Sequence, residues 1–195
     1  MMQHVRRTLG VESMGGEGME IGTVSAVIAA GSAICLAYIN GFVVERYKRH
    51  HEGSAIAAGL AGELGSYEGF APKVRGMLEQ ILGVVEAQTP GRIVLRPFDR
   101  PRDLFYEAAV QKLGLLDVAM IEDVVFVYGN LGGFRIALEL LSKHHTEMIP
   151  EEIATRSRAA IEAIDRALDR SERLMPKLRS RATERFLPAW AITGR

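Results

Sequence analysis

A chain of 195 residues with 24 basic and 24 acidic side chains carries no formal net charge, so the electrostatic footprint of a nucleic-acid binder is missing. The single cysteine, Cys35, excludes a disulfide framework and any cysteine-rich zinc site. Nearly half of the residues are apolar, and one long run of them contains no charge.

Residues 1–20 hold Arg6, Arg7, Glu12, Glu17 and Glu20 among several glycines, with no apolar period. This composition predicts a disordered tail. Arg6-Arg7 ahead of an apolar run suggests a twin-arginine signal, but three acids intervene and no A-x-A cleavage site ends the run. Met14 and Met19 are alternative starts.

The stretch 21–44, IGTVSAVIAAGSAICLAYINGFVV, contains no charged residue. At about 1.5 Å of rise per residue, it exceeds the roughly 30 Å hydrocarbon core of a bilayer. A lone span in lipid must satisfy its backbone internally, which only an α-helix does, so this segment is predicted to be a transmembrane helix. Ser25, Ala29, Ala33, Ala37 and Gly41 recur every fourth position and form a face almost free of bulk. Such a face admits a second helix at close range. The competing reading is that alanine and glycine are simply common in spans. Cys35, near mid-span, reads as a packed small hydrophobe.

Arg46, Lys48 and Arg49 follow the span directly, whereas Arg6 and Arg7 stand more than a dozen residues before it. The positive-inside rule then keeps residues 45–195 in the cytoplasm, with the amino terminus outside. Those three basic residues are the expected lipid-headgroup contacts. Removing the two positive and three negative residues of the tail leaves 22 positive and 21 negative after Val44, a net +1. About 150 residues is one domain's worth.

Beyond Glu45 the helical period continues through Ile56, Leu60 and Leu64, although Gly53, Gly59, Gly62 and Gly65 interrupt it. Each glycine costs around 1 kcal/mol relative to alanine in a helix interior, so the set predicts close packing or local breaks. Residues 72–88 repeat apolar side chains at three-four spacing, as an amphipathic helix does. The spacing leaves open whether 45–88 is one kinked helix or two.

Residues 89–101, TPGRIVLRPFDRP, break the pattern. Arg92, Arg96, Arg100 and Arg102 suggest either a phosphate or headgroup site or a solvated loop whose arginines pair with Asp99 and Asp103. A short helix over 102–113 is predicted next, with Leu104, Phe105, Ala108, Ala109 and Leu113 inward and Gly114 just past its end. Asp117 is a plausible N-cap for a helix running towards Lys143. Ile121, Val124, Val125, Tyr128, Leu131, Leu138 and Leu141 form its inward face, and Gly129, Gly132 and Gly133 predict a tight helix crossing or a break.

The last helix starts near Pro150, suited to a first turn, with Glu151 and Glu152 at the positive end of the dipole. Ile153, Ile161, Ile164, Leu168, Met175 and Leu178 form its stripe, with Ser157 and Ser171 as gaps. Lys177, Arg179, Arg181 and Arg185 crowd its end, either solvated or meeting headgroups, with Trp190 suited to an interface.

The predicted fold class is therefore all-α: a transmembrane helix over 21–44 continuing into a four- to five-helix cytoplasmic domain over 45–187, with a C-terminal tail over 188–195. Ile81, Leu104, Phe105, Leu113, Val125, Tyr128, Leu138, Ile161 and Leu168 are the expected core. Tyr106-Glu107-Ala108, Leu113-Gly114-Leu115-Leu116 and Val124-Val125-Phe126-Val127-Tyr128, placed after an N-terminal span with a basic edge, resemble uncharacterised bacterial proteins with one membrane helix and a helical cytoplasmic region. The resemblance implies architecture and a place in the bacterial inner membrane, and carries no activity.

No H-E-x-x-H, G-x-S-x-G, Walker A or G-x-G-x-x-G pattern in its proper setting is present, so no catalytic residue and no cofactor is expected. His50-His51-Glu52 and His144-His145 with Glu147 could bind a metal if the two pairs met, although adjacent histidines on a helix diverge by about 100 degrees. Two functions follow. The first is a membrane-anchored interaction or scaffold module, partnered by the bilayer and by a second copy or another membrane subunit, with no nucleic acid. The second is metal-assisted hydrolysis by His144, His145 and Glu147.

Overall fold

The computed structural model describes the backbone of residues 16–88, 95 and 103–187, and side chains from Thr23 onward within those ranges. All its regular elements are helical: α1 (Gly16–Glu86), α2 (Leu104–Ala109) running into a 3₁₀ turn (Val110–Leu115), α3 (Val118–His144) and α4 (Pro150–Thr183). No strand occurs among the described residues. The chain divides into two compact units, 1–47 and 48–195, and α1 contributes to both.

In the first unit, α1 begins at Gly16, five residues before Ile21, so 16–20 are helical where a tail is predicted. Residues 1–15, with Arg6 and Arg7, lie outside the described residues. From Thr23 onward the helix is apolar and long enough to cross a membrane by length and composition. Ser32, polar in an apolar run, returns its hydroxyl to the Ile28 carbonyl at 2.8 Å. Tyr38 and Phe42 stack, and the Arg46 guanidinium lies 5.4 Å from the centre of the Phe42 ring.

In the second unit, α1 passes Pro72 without ending, which resolves residues 48–86 as one helix. Its buried row, Ile56, Leu60, Leu64, Tyr67, Val74, Leu78 and Ile81, follows the three-four spacing. The glycines separate into two kinds. A Cβ at Gly59 would stand 2.0 Å from the Phe105 ring, and one at Gly53 would stand 2.9 Å from the Leu115 carbonyl. Those two are close approaches, whereas Gly62 faces open space.

Helices α3 and α4 pack along each other, and the seam is apolar. Val124, Val127, Leu131, Phe134, Leu138 and Leu141 meet Ile153, Ala160, Ile164, Ala167, Leu174 and Leu178 in one core. Ser157 and Ser171, gaps in the apolar stripe, are buried. Small side chains at those places let the helices come together. Helix α3 is also long and apolar enough to cross a membrane by length and composition, and here one side of it forms that core while Val118, Val125 and Ile136 stay exposed.

Several predicted core residues are corrected. Leu104 is 65% exposed, Phe105 37% and Val125 50%, while Ile161 and Leu168 are half-buried. Only six residues of α2 are α-helical before the chain tightens into the 3₁₀ turn; Ala109 and Leu113 face the core, and Leu104 and Ala108, about 100 degrees or more round the helix from Ala109, face out. Of the predicted core, Ile81, Leu113, Tyr128 and Leu138 are buried. Helix α3 runs unbroken through Gly129, Gly132 and Gly133, and a Cβ at any of them meets nothing within 4 Å. Among the described residues neither a break nor a tight crossing explains them. The second unit therefore holds, among the described residues, the second half of α1, the short α2 with its 3₁₀ turn, α3 and α4, four helices, the lower of the two numbers predicted.

Candidate functional site

The polar chemistry of the second unit gathers where α1, α2 and α3 meet. Glu63 and Tyr67 share a face of α1 at i,i+4 spacing, and Tyr128 and Arg135 share one of α3, two turns apart. Asp103 precedes α2 and is 2% exposed. Tyr67 donates its hydroxyl proton to Asp103 Oδ1 at 2.6 Å, and Arg135 pairs with Asp103 Oδ2. Arg135 Nη1 also donates to the Tyr67 oxygen at 3.4 Å.

Glu63 completes the cluster. Its Oε1 accepts the backbone N–H of Phe105 at 2.9 Å, and its Oε2 accepts that of Tyr106 at 3.0 Å and the Tyr128 hydroxyl at 2.8 Å. The first amides of α2 have no partner of their own helix, and Asp103 at the N-cap makes no side-chain cap bond. A carboxylate from α1 does that work across a gap of more than forty residues in sequence. The Tyr106 and Tyr128 rings stack with centroids 3.9 Å apart.

Burial, and then the hydrogen bond to Asp103, push the Tyr67 phenol well above its ordinary value. Burial and the bond to Glu63 do the same to Tyr128, and burial raises Tyr106. All three stay protonated, and the Tyr67 and Tyr128 hydroxyls serve as fixed donors to Asp103 and Glu63. The cluster's acceptors are filled from within the protein, a geometry that locks α1 to α2 and α3.

Further polar joins hold α4, Arg75 of α1 meeting Asp165 at 3.0 Å among them. Asp123, buried on α3, meets Arg170 Nε at 3.1 Å and Lys177 Nζ at 2.9 Å, and the Arg170 guanidinium covers the Phe126 ring at 4.9 Å. Arg181 donates to Ser54 Oγ at 3.0 Å, to His50 Nε2 at 3.2 Å and to Glu184 at 3.2 Å. Lys177 and Arg181, read from sequence as part of a basic helix end, thus pair with side chains of α3 and α1, Lys177 from the surface and Arg181 half-buried. Arg179 and Arg185 remain exposed.

The residues singled out in the sequence lie elsewhere. Ser25, Ala29, Ala33, Ala37 and Gly41 are exposed along α1, as are Arg46, Lys48 and Arg49. Arg92, Arg96, Arg100, Arg102 and Trp190 lie outside the described residues, and of Ile93 to Leu95 only Leu95 is described, packed against the core. Asp103 serves Arg135 and Tyr67. His50 joins Arg181 near the end of α4, whereas His144 and His145 precede its start, with His144 Nδ1 3.4 Å from Glu147 and His145 Nδ1 3.1 Å from the Leu141 carbonyl. At about 1.5 Å per residue, the helix between them spans roughly 45 Å, so the two histidine pairs do not meet. Among the described residues no three histidine, cysteine or acidic side chains gather as a metal site.

Glu63 and Arg135 are the residues that sequence reasoning missed. Their signal is a lone charge on the apolar face of a helix, one turn from a tyrosine or two. Comparison with protein-family models, with curated proteins and with solved structures finds no match to this chain.

Proposed function

We propose that this protein is a membrane-anchored helical module that self-associates, its span in the inner membrane of a bacterium and residues 45–195 in the cytoplasm. The observation that carries the reading is the exposure of the span's large apolar side chains. Val24, Val27, Ile28, Ile34, Leu36 and Ile39 are between 52% and 71% exposed, far more apolar surface than a water-facing helix leaves bare. A bilayer is the solvent that suits it. Arg46, Lys48 and Arg49 follow at the depth of the headgroups and favour the cytoplasmic side.

The small-residue row Ser25, Ala29, Ala33, Ala37 and Gly41 supports pairing of two such spans, because dispersion between closely approached backbones replaces the hydrophobic force absent in lipid. A membrane two-hybrid assay of the isolated span tests this. Ala33→Ile should abolish pairing, whereas Val27→Ile, off the row, should leave it intact. Equal pairing in both variants, or none in the parent, overturns the self-association.

A further inference from the structure

Helix α3 keeps one face that the fold leaves uncovered. Val118, Val125 and Ile136 are 73%, 50% and 53% exposed, and Glu122, Gly129 and Lys143 are exposed with them. At 100 degrees per residue all of these, together with Gly132 and Leu140, fall within about a quarter-turn of helix surface. Between Glu122 and Lys143 that surface carries no charge. Glycines in a helix interior are unfavourable, and no atom of the described residues lies where their side chains would be. No contact among those residues requires them.

We infer that this face of α3 binds the same face of a second copy, antiparallel, about a two-fold axis between Gly132 and Gly133. The register follows from the charges. A two-fold at that point sets Glu122 against Lys143 of the second copy and Lys143 against its Glu122. The same register places Val125 opposite Leu140 and seats Ile136 over Gly129, each contact occurring twice, as an isologous interface demands. Glycine at the crossing allows the helices to approach closely. Lys143 already holds Glu139 one turn away at 2.6 Å, and an ammonium has three protons to donate, so it can serve both carboxylates. Glu122 makes no ion pair among the described residues. This contact is separate from the pairing of spans proposed above and stands or falls independently of it.

Cysteine cross-linking of the full-length chain in native membranes, in a Cys35→Ser background, tests the register. Gly132→Cys places the two thiols about 1.5 Å apart along the helix axes and should form a disulfide dimer under mild oxidation, while Val118→Cys, displaced by roughly 43 Å, should not. Glu122→Lys, and separately Lys143→Glu, should each lower the Gly132→Cys yield at least several-fold by setting like charges opposite each other. The two together should restore it, because the exchanged pair is again complementary. Val118, Glu122 and Lys143 are exposed and Gly132 is half-exposed, and helical circular dichroism checks that each variant folds. Equal yields at 118 and 132, no dimer at 132, or no rescue by the charge exchange overturns the inference. Protection of a cysteine at 125 from a soluble maleimide only when vesicles are present, without a dimer at 132, assigns the face to the bilayer and overturns it as well.

Discussion

Asp103 shows how a single side chain can hold three segments. Its carboxylate is buried beside Arg135 and Tyr67, and removing one partner of a buried pair leaves the other charge uncompensated, at a cost of about 3–5 kcal/mol. Asp103→Ala should lower stability by that amount in denaturant unfolding of the detergent-solubilised chain. Asp103→Leu with Arg135→Met, which removes both charges, should cost less than Asp103→Ala alone. The buried phenols add a pH dependence. Tyr67 and Tyr128 ionise near 10 when unfolded and only at higher pH when folded, so unfolding above that value releases protons. Their contribution is complete below pH 10 and is lost as pH rises beyond it, by about 1.4 kcal/mol per pH unit for each tyrosine. Denaturant midpoints at pH 9 and 11 should show the fall, and Tyr67→Phe and Tyr128→Phe should each flatten it.

Among elements, α1 separates glycines that the fold needs from glycines that it does not. Gly59→Ala drives a methyl into the Phe105 ring, and overpacking of this kind costs about 1–3 kcal/mol. That outweighs the roughly 1 kcal/mol gained in helix propensity. Gly62→Ala keeps the gain without the clash. Thermal unfolding should therefore rank Gly62→Ala above the parent and Gly59→Ala below it, with Phe105→Ala relieving the second loss. The sequence shows all four glycines at similar spacing and cannot rank them, since the distinction lies in what α2 places opposite. The same holds for α2: apolar spacing assigns Leu104 and Phe105 to the core, whereas Leu104 is exposed and Phe105 lies at its margin with its ring over Gly59.

At the scale of the molecule, the reading that remains to be tested is topology. A reporter active only in the cytoplasm, fused after Arg195, should be active if Arg46, Lys48 and Arg49 set the orientation, and activity from a periplasmic reporter there instead would reverse it. The sequence by itself determined the all-helical class, the long uncharged run before Glu45 and most of the seam between α3 and α4, because period and composition are local properties that survive without knowledge of neighbours. It placed Ile81, Leu113, Tyr128 and Leu138 correctly inside for the same reason. Only the tertiary structure decided that Glu63, Asp103 and Arg135 form one cluster, that Lys177 and Arg181 pair with groups on other helices, and that the two histidine pairs stay at opposite ends of α4. Those outcomes depend on which helices touch and in what register, and a buried charge is tolerable only when a partner from a distant segment is held against it.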